Sequence, residues 1–208
     1  EKGKEEAMAV HSDNYTTNAA YGVSAYSKGE VFLNQLSYVV GQNTFDKAMK
    51  KYFYKWQFKH PGPRDFKRVM EKVSGLQLDW YFMYGLKTTR TVDYAIRSVN
   101  EDKDSIRIKL ERKGEFPMPL DVQVTYKDGS KEMYYIPLRV MRGKKINEYD
   151  LKRIVKSDWP WVYPYYTLNL EKGKEVMKVE VDPSGKLADI KRDNNIYPFY
   201  PNENGVTR

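Results

Sequence analysis

The chain is predicted to be α+β, a helical lobe followed by an antiparallel β-sandwich, on two observations. Apolar residues recur with a helical period of about 3.6 up to Gly85, and beyond Leu86 to Arg90 the period drops to 2. Past that switch, roughly seven short alternating runs are separated by turn residues, the pattern of a sandwich. The reading divides the chain at residues 1–87, 88–190 and 191–208, the last being a loose, proline-interrupted tail.

Taken in order, Glu1 to Asn14 is polar and reads as a short helix or an arm, and Thr16, Thr17 and Asn18 suggest a loop. From Gly29 the small or apolar positions Gly29, Phe32, Leu33, Leu36 and Val40 line one face of a helix of about four turns, which Gly41 stops. Ser24 and Ser27 suggest that this helix starts near Tyr26, which would put the Tyr26 phenol beside its positive end, a place to hold an anion. Asn43 or Thr44 can cap a second helix carrying Phe45, Met49, Tyr52, Phe53 and Trp56 on one stripe. Lys59-His60-Pro61-Gly62-Pro63 must be a loop, with Pro63 in the first turn of a third helix striped by Phe66, Val69, Met70 and Val73 and ended by Gly75. Leu78 to Tyr84 reads as a short aromatic helix closed by Gly85.

In the second half, Val92, Tyr94 and Ile96 alternate. The turn Asn100 to Asp104 leads into Ile106, Ile108 and Leu110. Leu120 to Tyr126 and Met133 to Ile136 flank Lys127-Asp128-Gly129-Ser130, a hairpin turn because Asp-Gly tolerates positive φ. Further strands are expected at Tyr165 to Leu170, Val176 to Val181 and Leu187 to Ile190. The run Trp159 to Tyr166 is either a stacking platform for sugars or peptides or, preferred here, an aromatic corner sealing the sandwich.

Composition narrows the function classes. The 36 basic and 28 acidic residues leave a formal charge of +8, but the charges are scattered. The densest basic run, Arg139 to Lys145, lacks any nucleic-acid module around it and reads as a solvated face, so nucleic acid is not an expected partner. No run of apolar residues is long enough to span a bilayer. There is no cysteine, which removes disulfides, thiolate metal sites and a cysteine nucleophile, and leaves the compartment open. Ser24, Ser27 and Asp13 lack the Gly-x-Ser-x-Gly setting or a partnered histidine that a serine hydrolase needs.

A set of ordered motifs carries the functional signal. Tyr26-x-Lys28-Gly29 opens the first amphipathic helix, and Tyr21 stands five residues earlier. Gly41-x-x-x-Phe45, Tyr52, Pro63-x-x-Phe66, Gly75 and Asp79-Trp80-Tyr81-Phe82 follow. Over roughly Tyr15 to Gly85 this series resembles the aminopeptidase N-like gluzincin zinc metallopeptidases, specifically the second half of their thermolysin-like catalytic domain. The resemblance implies a peptide substrate and places Tyr26 as the donor that stabilises the tetrahedral oxyanion, since a phenol is protonated at neutral pH. It also puts Tyr21 on the wall of the same cleft. Lys28 reads as a surface lysine and Gly29 as a close-packing position. The His-Glu-x-x-His helix of that family is absent, and His11 and His60 have no partner at metal-ligand spacing. The expectation is therefore a C-terminal piece of a longer enzyme, inactive alone, with zinc, its ligands and the general base supplied by a missing N-terminal half. The alternative is a non-catalytic, peptidase-like scaffold whose sandwich docks carbohydrate or protein.

Overall fold

A computed structural model describes residues 5–171 and 173–198. The expectations for Glu1 to Lys4 and for the tail beyond Pro198 lie outside the described residues. The chain is α+β and divides into two compact units. The first runs to Arg90 and includes Val140–Glu148; the second holds Thr91–Arg139 and the residues from Tyr149 on.

In the first unit, Thr17 starts the helical stretch by accepting the Ala20 N–H on its hydroxyl at 3.0 Å. Helix α1 (Asn18–Gly22) passes into a π-helical turn, Val23–Ser27, in which the Lys28 N–H reaches back to the Val23 carbonyl, and then into α2 (Lys28–Val40). Phe32, Leu36, Val39 and Val40 of α2 are buried. Gly41, at φ 90°, turns the chain into α3 (Gln42–Trp56), a conformation that L side chains rarely adopt. Ala48 is buried on α3, but Phe53, placed by its spacing in the apolar stripe, is 61% exposed. Helix α4 (Pro63–Ser74) begins with Pro63 in its first turn and an Asp65 carboxylate on the Gly62 N–H, and ends on Gly75 at φ 72°. Helix α5 (Asp79–Lys87) runs past the expected stop: Gly85 is buried inside it, and Thr88 ends it, its hydroxyl donating to the Tyr84 carbonyl at 2.7 Å.

Residues 140–148 correct in part the reading of Arg139 to Lys145 as a solvated face: Arg139, Arg142 and Lys144 are exposed, but Met141 and Lys145 are buried. The segment forms a strap around the corner at Gly41. Met141 is fully buried, and its carbonyl accepts the Gln77 N–H at 2.9 Å. Lys145, only 7% exposed, donates to the Tyr38 carbonyl at 3.0 Å, with its ammonium 3.9 Å from the centre of the Tyr38 ring. Tyr38 lies in the last turn of α2, where carbonyls lack intrahelical donors and a cation is favoured. Three residues on, the Glu148 carboxylate accepts the N–H groups of Gln42 and Asn43 at 2.6 and 2.7 Å, capping α3 in place of the expected Asn43 or Thr44. One strap thus serves the negative end of α2 and the positive end of α3. Glu148→Ala is expected to destabilise the first unit by about 1 kcal/mol, the ordinary worth of an N-cap. A denaturation midpoint unchanged from wild type would contradict the capping role.

The second unit contains two sheets. The three-stranded sheet has the order β1 (Tyr94–Glu101), β2 (Ser105–Arg112), β6 (Tyr165–Glu171), all antiparallel. Ile106, Ile108 and Leu110 of β2 alternate with residues that are not buried, as the period of 2 predicts. The five-stranded sheet has the order β5 (Arg153–Val155), β4 (Lys131–Ile136), β3 (Leu120–Tyr126), β7 (Val176–Val181), β8 (Ile196–Tyr197). It is mixed rather than antiparallel, because β5 pairs parallel with β4. A hairpin cannot produce that pairing, but the long excursion of residues 137–152 can.

Leu187 to Ile190 is not a strand. The Asp182 carboxylate takes the Leu187 N–H at 2.8 Å, and Asp189 takes the N–H groups of Tyr94 and Lys191, both at 2.9 Å, so side chains replace the ladder and leave one bridge to Val92. Residues 192–197, expected as loose tail, form a 3₁₀ turn and strand β8.

The Trp159 to Tyr166 run divides in two. Trp159 is 1% exposed, lies edge-on to Tyr94 with ring centres 5.6 Å apart, and donates its indole N–H to the Tyr163 carbonyl. Trp161, Val162 and Tyr163 stand exposed.

The β3–β4 turn follows the Asp-Gly expectation, with Gly129 at φ 82°. Lys174, then the hydroxyl and N–H of Ser130, hold the Asp128 carboxyl down to about 2. Because this folded value lies below the unfolded one, the stability it contributes is complete above the ordinary aspartate value of about 4 and is lost as pH falls through the folded value. The melting-temperature difference between wild type and Asp128→Asn, measured from pH 5 downward, is expected to shrink toward pH 2 and to close below it.

Candidate functional site

The segment with the densest motif content, Tyr21 to Gly41, lies wholly in the first unit. Because the helix starts at Asn18, Tyr26 is two turns into it rather than at its positive end. The expected dipole-assisted anion site at Tyr26 is therefore not formed. The cause is Thr17, read as loop but serving as the cap. What the structure gives Tyr26 instead is a place on the π-helical turn, where one extra residue per turn re-aims the side chains around it, a feature frequent at functional sites.

Tyr26 is 70% exposed. It lies edge-on to Tyr21, with ring centres 6.2 Å apart, and Tyr21 lies edge-on to Tyr15 at 5.5 Å. The Tyr15 hydroxyl donates to the carbonyls of Ala7 and Met8, anchoring the far end of this ladder. Lys28, read as a surface lysine, is largely buried. Its ammonium pairs with the Glu5 carboxylate at 2.5 Å and donates to the Thr88 carbonyl at 3.1 Å, while the Ser24 hydroxyl donates to the Glu6 carbonyl. The π-helical turn is thus tied down on the side away from Tyr26.

Tyr26 lines the mouth of an open cleft of about 570 Å³. Gly29, Glu30 and Leu33 line it from the same helical stretch, Tyr52 from α3, Phe66 from α4, and Phe82 from α5. Its floor is a chain of ring contacts: Phe32 to Phe82 at 5.2 Å, Phe82 to Phe66 at 6.0 Å, and Phe66 to Tyr52 at 5.0 Å. Beneath it the Tyr81 hydroxyl donates to the Phe32 carbonyl at 2.6 Å, and burial pushes that phenol well above its ordinary pKa, so it stays a donor. A methyl added at Gly29 would meet only Met8, at an ordinary 3.8 Å. The glycine therefore leaves cleft volume free rather than permitting a close helix crossing.

Of the residues singled out in the sequence, Tyr26 lines the cleft and Tyr21 braces it from behind, outside the lining. Glu30 was missed, although its position four residues after Tyr26 puts the two on one helix face. His11 accepts the Asp13 N–H in a local turn, and His60 is exposed in the α3–α4 loop. Among the described residues no group of three or more His, Asp or Glu is placed to hold a metal ion, so these side chains do not fit the zinc site implied by the resemblance.

Comparison with known proteins bears on the same segment. No curated protein sequence matches the chain. The crystal structure of Legionella pneumophila aminopeptidase A in complex with aspartic acid is similar over 82% of this chain, with a TM-score of 0.54 and 12% identity, a likeness of fold. The chain spans 18% of that protein's length. Residues 2–84, which contain the tyrosine ladder, Lys28 and most of the cleft lining, match the peptidase family M1 domain. Over that helical stretch the chain is similar to the peptidase family M1 domain.

Proposed function

We propose that this chain forms one wall of the active site of an aminopeptidase, which hydrolyses the N-terminal bond of peptides. The observation that carries the reading is Tyr26: within the segment that matches the M1 domain, it stands with its ring exposed at the mouth of an aromatic cleft. When a peptide carbonyl is attacked, negative charge collects on its oxygen, and a phenol held at that point donates a hydrogen bond that strengthens as the charge grows. Tyr21 fixes the ring from behind, and the Lys28 contacts fix the backbone turn that carries it. The aromatic floor receives an apolar part of the peptide, and the Glu30 carboxylate at the rim orients it.

In this reading the ion and the general base come from residues other than those described here, and these residues alone do not catalyse. Hydrolysis of an aminoacyl arylamide by the peptidase that contains this chain tests it. Tyr26→Phe must lose activity, while Tyr54→Phe, an equally exposed phenol on α3, must keep it.

A further inference from the structure

We propose that α3 and the turn after it form a docking surface for an anionic lipid bilayer. Between residues 42 and 64 the chain carries Lys47, Lys50, Lys51, Lys55, Lys59 and Arg64 against a single acid, Asp46. All six cations are exposed, and none makes an ion pair among the described residues. Elsewhere many lysines are matched: Lys28 with Glu5, Lys67 with Asp79, Lys127 with Glu175, Lys174 with Asp128. Asp46 accepts a hydrogen bond from the Gln42 side-chain amide at 2.9 Å and leaves one carboxylate beside Lys47, a turn before Lys50, against the six cations. Lys47, Lys50, Lys51 and Tyr54 recur at i, i+3, i+4 and i+7, which puts them on one face of α3, opposite buried Ala48 and the half-buried Tyr52.

Charge alone marks a solvated face; the second observation is apolar. Phe58, in the turn that ends α3, is 98% exposed and sits at φ 60°, a backbone conformation uncommon for a bulky side chain. The turn is closed beneath it, the Gln57 N–H on the Phe53 carbonyl at 2.8 Å and the Lys59 N–H on the Trp56 carbonyl at 3.0 Å, so the ring is displayed rather than loose. Phe53 and Tyr54 beside it are 61% and 72% exposed. Lys55 and Lys59 lie over the Trp56 ring, with their ammonium groups 5.4 and 6.0 Å from its centre.

Exposed aromatic rings set among lysines that make no ion pair match an interfacial helix; among the described residues no helix is long and apolar enough to cross a bilayer. The rings enter the headgroup region while the ammonium groups meet anionic phosphates. An acidic protein or polyanion would use the lysines but would give Phe58 nothing to enter.

Co-sedimentation of the chain with vesicles decides. Phosphatidylcholine vesicles containing phosphatidylserine are expected to bind it, pure phosphatidylcholine is not, and the binding weakens as salt rises. Phe58→Ser should lower the bound fraction several-fold, and Lys50→Gln combined with Lys51→Gln and Lys55→Gln about tenfold or more, each juxtamembrane cation adding its share. These positions are all exposed, so unchanged melting temperatures and circular dichroism are expected. No binding to the phosphatidylserine vesicles, or equal binding to both lipids, would overturn the proposal. So would loss in the lysine variant with Phe58→Ser as wild type, which would make the adsorption purely electrostatic and leave the exposed ring no part in it.

Discussion

On the proposed function, Tyr26→Phe is expected to lower kcat by about 10²–10³, the usual effect of removing one donor to a developing oxyanion. The substitution removes one hydroxyl and keeps the ring. The edge-on contact with Tyr21 and the ties of Lys28 therefore remain, and the cleft keeps its shape. Because the hydrogen bond matters mainly in the transition state, KM should change little and kcat/KM should fall with kcat. Tyr54→Phe supplies the comparison, since its phenol is 72% exposed on α3 and does not line the cleft. If both variants hydrolyse a peptide substrate within a few-fold of wild type, Tyr26 is a rim residue and not a catalytic one.

Trp159→Ala is expected to cost the second unit about 3–5 kcal/mol, the range for truncating a large buried aromatic. Three losses combine at this position: the burial of the indole, its edge-on contact with Tyr94, and the hydrogen bond to the Tyr163 carbonyl. A cost of that size approaches the whole stability of a small domain, so the unit should unfold at much lower denaturant. Trp161→Ala, two residues on and 40% exposed, should stay within about 0.5 kcal/mol. Equal shifts in the two denaturation midpoints would mean that the run is a uniform aromatic surface rather than a corner with one buried anchor.

What the sequence disclosed and what it concealed follow from the range of the interactions involved. Local signals were legible: the stripe of Phe32, Leu36 and Val40, Pro63 and Gly75 at the two ends of α4, the switch of period after α5, and the Asp128-Gly129 turn. Interactions between distant residues were not. Lys28 reads as a surface lysine because nothing in its neighbourhood announces that Glu5 and the Thr88 carbonyl will surround its ammonium. Lys145 sits in a basic run that looks solvated until the end of α2 is placed against it. The start of α1 was hidden for a different reason: the π-helical turn inserts a residue into the 3.6-residue repeat, so the apolar pattern before Gly29 does not extend the one after it. Tyr26 and Tyr21 were singled out through motif order rather than periodicity, whereas Glu30, which lines the cleft with Tyr26, needed only the i, i+4 rule.

The carboxylate that caps α3 stands 105 residues downstream of the second N–H that it receives, which sets an order of events during biosynthesis. At a ribosomal rate of about 5–20 residues per second, Gln42 and Asn43 wait several seconds for Glu148 to be made. Strands β1 to β4 are synthesised within that interval. The helices can therefore pack early, but the corner at Gly41 closes only after much of the second unit has left the exit tunnel. A nascent chain stalled after β4 should carry an α3 that frays at its start, and protease sensitivity at that corner would report how far translation had gone.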